Sequence, residues 1–249
     1  MKRAFPILAV LTALLLAYAF YEALWVAPME RTMGDVQRIF YYHVPSAWTA
    51  FLLFSVNLVA SVIYLISRSA KADALAVVSA EVGVVFCTVV LVTGPIWARP
   101  VWGIWWTWDL RLTLTLVLWL IYVSYLVLRR FSDSSQTPKL AAVLAIFGAL
   151  DVPLVYFSIW FFRTQHPQPV IGGGGSIDPR MLHVLLINWL AFSCFAFLVC
   201  WWRFRLELLQ RDVEEAQALE SLLGDGGSSA PAARASVPLN KTPSRPGTA

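Results

Sequence analysis

Six long apolar stretches dominate this chain, and they decide what it can fold into. They run roughly Ala4–Ala27, Val44–Ile66, Ala74–Ile96, Leu110–Leu128, Leu140–Phe162 and Met181–Trp202. A helix crosses the hydrocarbon core of a bilayer with about 20 apolar residues, and each stretch is of that order. Lipid offers no partner to backbone N–H and C=O groups, so such runs satisfy them internally as helices. Composition agrees. Hydrophobic residues make up 59% of the chain and charged residues 14%, against about 25% charged in a soluble domain. The expected fold is all-α, a polytopic membrane protein with six transmembrane helices. The N-terminal MKR and its apolar run resemble a signal peptide, but the run exceeds the usual limit of about 15 residues. No small-x-small site closes it either, so it is expected to remain as the first helix.

Lys and Arg set the orientation. Lys2, Arg3, Arg68, Lys71, Arg129, Arg130, Lys139, Arg203, Arg205 and Arg211 fall on one side of a six-helix arrangement. Arg31, Arg38, Arg99, Arg111, Arg163 and Arg180 fall on the other. The bias puts both termini in the cytoplasm and three loops outside: Pro28–His43, Trp97–Asp109 and Arg163–Pro179. The basic balance is therefore a topology signal, and nothing points to nucleic acid. Residues 1–211 read as the membrane domain. From Asp212 the chain turns Glu-rich and then Gly-, Ser-, Ala- and Pro-rich, so 212–249 is expected to be a disordered cytoplasmic tail. Pro45 is expected in the first turn of the second helix, just after His43. Asp178 followed by Pro179 is a good N-cap and N1 pair for the sixth helix.

The segment WARPVWGIWWTWDLRLT carries the densest chemistry. Trp97, Trp102, Trp105, Trp106 and Trp108 crowd into a dozen residues, while the other tryptophans of the 12 are spread out. Tryptophan favours the membrane interface, and an aromatic belt is one reading. A helical turn starting at Pro100 is the other. It would align Trp102, Trp105, Trp106 and Asp109 at i, i+3, i+4 and i+7, with Arg111 turned away. That makes a flat aromatic shelf for a large planar ligand. Composition alone leaves both open.

The chain has three histidines, His43, His166 and His183, and the topology places all of them at the outer face. Imidazole nitrogen is the common protein ligand for haem iron. Two imidazoles from different loops can hold the iron from opposite sides while tryptophans cover the ring. With no CxxCH the haem would be non-covalent and removable.

These residues also carry a resemblance. WGIWWTWDLRLT looks like the WWD signature of haem-handling membrane proteins in cytochrome c maturation. YYHVPSAW, VTGPIWARPVWG, DVPLVYFSIWFFRTQHP and SIDP follow in the order found in the CcmC family (haem exporter protein C). The resemblance covers about Tyr18 to Trp202. It implies His43 and His166 as axial haem-iron ligands, and a haem-contacting set of Trp97, Trp102, Gly103, Trp105, Trp106, Trp108, Asp109 and Arg111. His183 matches no ligand position of the family. Phe161 and Phe162 stand where tryptophans are usual, and Pro167 where glutamine is common. The implied cargo is haem b, held transiently at the outer face of a bacterial inner (cytoplasmic) membrane. The implied partners are a periplasmic haem chaperone, an ABC-type ATPase with its membrane subunit, a small membrane adaptor and membrane lipid. The resemblance points to binding and transfer, not catalysis.

Arg31, Arg38, Arg99 and Arg111 are candidate partners for haem propionates. Asp151 and Glu81 stand in apolar helices, where ionisable groups are expensive. Asp151, beside Pro153, is expected to cap backbone groups that the proline frees, and Glu81 to sit near the cytoplasmic surface. Cys87, Cys194 and Cys200 form no CxxC pair and read as packing residues. No nucleotide-binding loop or hydrolase triad is present. Alternatives are a cytochrome c synthase-type protein of the same superfamily, or a bis-His membrane electron-transfer cytochrome. The first is usually larger, with a further histidine pair. The second usually buries its ligands within helices.

Overall fold

The computed structural model describes residues 4–132, 134–162, 164–168 and 177–227. α1 (Ala4–Tyr21) ends in a π-helical turn (Glu22–Val26), and a 3-10 turn (Asp35–Ile39) leads into α2 (Phe40–Ser67). α3 (Ala70–Trp102), α4 (Leu110–Phe131), α5 (Thr137–Ala149), α6 (Asp151–Phe161) and α7 (Pro179–Gly227) follow. α5 and α6 form one span interrupted at Leu150, so among the described residues six helices are long and apolar enough to cross a membrane. Among the described residues the only β feature is an isolated bridge between Glu30 and Gly34. The protein is an all-helical, multi-pass membrane protein.

Two helices extend further at one end than the apolar runs suggest. α2 begins at Phe40, so His43 lies inside the helix and Pro45 beyond its first turn. α3 continues through Pro95 and Pro100 to Trp102, which brings Trp97 into the helix. The helical turn expected to start at Pro100 is instead the last turn of α3. Tertiary packing accounts for the extra turns. Phe40 and Tyr41 are buried in one cluster with Met181, Val184 and Leu185 of α7, and Trp97 packs against it. Such contacts stabilise helix that hydropathy alone does not demand.

In lipid the helices are not driven together by the hydrophobic effect. Close packing and hydrogen bonds do that work. α2 and α3 pair most extensively, along a line of buried small residues that includes Ala50, Ala60, Ala76 and Ala80. Gly83 is needed there, because a Cβ would stand 2.7 Å from Phe54 Cε1. The Phe54 ring stacks on Tyr122 of α4, centroids 3.8 Å apart. Asn57 Nδ2 donates to Ala76 O at 2.7 Å, and Asn188 Nδ2 donates to Ala19 O at 3.2 Å. Large apolar residues such as Ile66, Val85 and Leu154 stay exposed and form a surface suited to lipid.

Two ion pairs join charges of different spans. Arg129 donates to both carboxylate oxygens of Asp73 at 2.7 and 2.6 Å. Arg203 does the same to Glu81 at 2.9 and 2.9 Å, so Glu81 is an ion-pair residue. Asp151 opens α6, and its buried Oδ2 has no hydrogen-bond partner among the described residues. That is not the capping arrangement expected beside Pro153.

The chain divides into two compact units, Met1–Leu208 and Leu209–Ala249. α7 stays helical past Asp212, where the tail was expected to begin, as far as Gly227. The Glu-, Gln-, Ala- and Leu-rich composition of 212–223 favours helix. Lys2, Arg3, Arg163, the glycine run 172–175 and the tail after 227 lie outside the described residues.

Candidate functional site

Residues of α2, α3, α4 and α6, with Gln165, His166 and Pro167, line a cavity of about 400 Å³. That is within the range of small-molecule sites, about 300–1,000 Å³. His43 of α2 and His166 of the loop both line it, with Trp97, Trp102, Trp106 and Arg111. It is a pocket and not a flat shelf, and its floor reaches Ala50, Phe51, Cys87 and Val155 inside the bundle.

The tryptophan run is divided by its own backbone. Gly103 ends α3 at φ 78°, a left-handed conformation that suits glycine. Its N–H donates to Arg99 O at 3.0 Å, and the Arg99 guanidinium donates to Gly103 O. Residues 103–109 then run without helix to Asp109. Trp102 and Trp106 face the cavity, while Trp105 and Trp108 are 59% and 75% exposed and do not line it. The single face expected of Trp102, Trp105, Trp106 and Asp109 is therefore not formed. Arg111, expected to turn away, stands in the cavity wall in the first turn of α4.

Asp109 ties two loops together. Its Oδ1 accepts from Leu112 N at 3.1 Å and caps α4. Its Oδ2 accepts from Thr107 Oγ1 at 3.0 Å and from Gln165 N at 3.4 Å, one residue before His166. The His166 loop is further held by Gln168 Nε2 donating to Ile159 O at 3.3 Å. His166 Nδ1 lies 2.9 Å from Pro167 O. A carbonyl only accepts, so Nδ1 carries the proton and Nε2 keeps its lone pair. Burial, with the Arg111 guanidinium nearby, pulls the His166 pKa down to about 4, against the opposing pull of the Pro167 carbonyl. The ring is neutral at pH 7, the form that ligates a metal.

His43 is 8% exposed. Its Nδ1 lies 2.9 Å from Thr93 Oγ1, and its ring meets Trp97 edge-on with centroids 5.8 Å apart. Across the cavity mouth, Glu30 accepts from the backbone N–H groups of Met33 and Thr32 at 2.5 and 2.8 Å. Those bonds hold its pKa below the usual carboxylate range. Glu30, Thr32 and Met33 line the cavity. No spacing in the sequence connects them with His43, because the loop turns back at Gly34, φ 58°.

Three buried donors of the cavity residues have no partner among the described residues: Trp97 Nε1, Trp106 Nε1 and Arg111 Nη1. A buried unpaired donor costs about 1–3 kcal/mol. Together they suit a ligand that brings acceptor oxygens, preferably anionic. Two imidazoles, an aromatic wall and unpaired donors fit haem with its carboxylates. Of the other arginines, Arg38 pairs with Asp35 at 3.0 Å and donates to Ala23 O at 2.8 Å. His183, exposed in the first turns of α7, borders a separate small cleft with Glu22 and Arg180.

Fold and cavity together define a multi-pass helical membrane protein with a two-histidine, tryptophan-lined cavity in its bundle. The family described as Heme exporter protein C matches residues 1–219. A Heme exporter protein C of Bradyrhizobium diazoefficiens is 36% identical over 222 residues, covering 88% of this chain and 84% of that one. The Escherichia coli K12 protein of the same name is 33% identical over 195 residues, 78% and 77% of the two chains. A putative cytochrome c biosynthesis ccmC-like mitochondrial protein of Marchantia polymorpha is 34% identical over 185 residues, 74% and 78%. The chain belongs to the heme exporter protein C family.

Proposed function

We propose that this protein binds haem b non-covalently at the periplasmic face of a bacterial inner membrane and hands it to a periplasmic haem chaperone for cytochrome c maturation. The observation that carries this reading is that His43 and His166, 123 positions apart in the sequence, line one cavity with Trp97, Trp102 and Trp106. His43 and His166 serve as the axial ligands. Trp97, Trp102 and Trp106 cover the ring, and Arg111 with the two indole N–H groups receives the propionates. Gly103 sets the course of the loop, and Asp109 holds it against the His166 segment. Trp105 and Trp108 stand outside the cavity.

Haem is cargo here, offering two axial positions and two carboxylates. The residues bind and orient it and make no covalent bond to it. The names of the relatives, an exporter and a cytochrome c biosynthesis protein, support the same role. By the family resemblance the protein works within an exporter assembly with an ABC-type ATPase, its membrane subunit and a small adaptor. The orientation that puts the cavity outside, with both termini in the cytoplasm, follows from the Lys and Arg bias.

The test is purification of wild type, His43→Ala, His166→Ala and the double variant, with haem quantified per protein. The double variant should lose most co-purifying haem and its six-coordinate low-spin spectrum. A full, spectrally unchanged complement in that variant refutes ligation by this pair.

A further inference from the structure

His43 is wedged between helices, and the partners of its ring determine which nitrogen is free. Thr93 lies one helical turn before Trp97 on α3, and its Oγ1 is 2.9 Å from His43 Nδ1. The same Oγ1 is 2.7 Å from Val89 O. A hydroxyl has one proton. At 2.7 Å a carbonyl facing an undonated hydroxyl oxygen would set two acceptors against each other, so the proton goes to Val89 O. Towards His43 the hydroxyl can then only accept. Nδ1 must carry the imidazole proton, and Nε2 keeps its lone pair. The neighbouring Gly94 leaves room for this placement, since a Cβ there would already touch His43 Cε1 at 3.4 Å.

We propose that Thr93 is the positioning residue that locks His43 in the Nδ1–H tautomer and so presents Nε2 as its coordinating nitrogen. The inference rests on His43 being a haem ligand. It extends that reading to a residue outside the tryptophan run that contacts the ligand only through His43. The two histidines are then set by acceptors of different kinds: a backbone carbonyl for His166 and a side-chain hydroxyl for His43. Only the second can be removed by substitution. Outer partners of this sort typically change ligand affinity about 10–100-fold when lost.

Two measurements test it. In haem-free protein labelled with ¹⁵N-histidine, side-chain ¹⁵N spectra report the tautomer directly, and the His43 signals are assigned by their loss in His43→Ala. Wild type and Thr93→Ser should show a protonated Nδ1 and a bare Nε2. Thr93→Val, which keeps the shape and removes the acceptor, should lose that preference. Thr93→Ala carries the same comparison if Thr93→Val does not purify as a monodisperse protein. In haem titrations the acceptor-less variant should bind about tenfold or more weakly with a smaller low-spin fraction, and Thr93→Ser should restore both. Unchanged tautomer signals, or unchanged haem binding in a protein whose His43→Ala variant binds poorly, overturn the proposal. If His43→Ala itself binds haem normally, the ligand assignment fails, and the haem-free tautomer spectra still report on Thr93.

Discussion

Replacing Asp109 by asparagine separates two tasks that one carboxylate now performs. Oδ1 caps α4 through Leu112 N at 3.1 Å, and asparagine is as good an N-cap as aspartate. Oδ2 accepts from Gln165 N at 3.4 Å and from Thr107 Oγ1 at 3.0 Å. With its carbonyl on the cap, asparagine would point N–H₂ at the Gln165 N–H, donor against donor. The helix should survive while the tie to the His166 loop is lost. At 3.4 Å that bond is long, so a net value near about 1 kcal/mol is appropriate. If binding requires the loop in place, this corresponds to roughly a fivefold weaker haem affinity, since about 1.4 kcal/mol is tenfold. Asp109→Ala removes the cap as well and should cost about 1 kcal/mol more in stability. Haem titration followed by absorbance, with thermal unfolding of the haem-free protein, measures the two effects apart. Asp109→Asn with wild-type haem affinity would refute the tie. A loss of helix stability equal to that of Asp109→Ala would refute the retained cap.

Further outcomes follow from the same cavity. Arg111→Gln should weaken haem binding about 10–100-fold, the range of a hydrogen bond to a charged group. The haem-free protein should melt no lower, because an unpaired buried donor is removed; equal affinity of wild type for haem and its dimethyl ester would contradict this. For His166 the folded pKa lies near 4, below the ordinary imidazole value of about 6.5. Acidification therefore protonates the unfolded state first. The contribution of His166 to stability is complete above about pH 6.5 and is lost as pH falls towards 4. Haem retention should stay level from pH 8 to about 5, and a midpoint at 6.5 would show that the ring is not buried. Trp105→Ala and Trp108→Ala should leave the haem spectrum of the isolated protein unchanged, whereas Trp106→Ala should alter it. Equal effects of all three would mean that the run acts as a uniform belt.

Much of the architecture is legible without coordinates, because backbone hydrogen bonding in lipid permits few alternatives. Apolar runs of the right length become helices wherever they pack, so the number and order of spans were readable. The ends were not. Phe40, Tyr41 and Trp97 lie in helix where Met181, Val184 and Leu185 of α7 pack with them, a contact that joins segments about 140 and about 85 residues apart. The periodicity placed on Pro100 failed for a local reason: α3 continues through the proline, and Gly103 then breaks the helix before Trp105 can share a face with Trp102.

The sequence by itself determined an all-helical membrane protein and a resemblance that the family match agrees with, and it offered two histidines and a tryptophan run as candidate ligand residues. Tertiary structure alone decided which of those residues meet. It put Trp102, Trp106 and Arg111 inside the cavity and Trp105 and Trp108 outside it. It also set Thr93 behind His43, and Asp109 beside the loop of His166. Helix formation in lipid answers to local composition, whereas the direction a side chain faces depends on partners brought close only by the packed bundle.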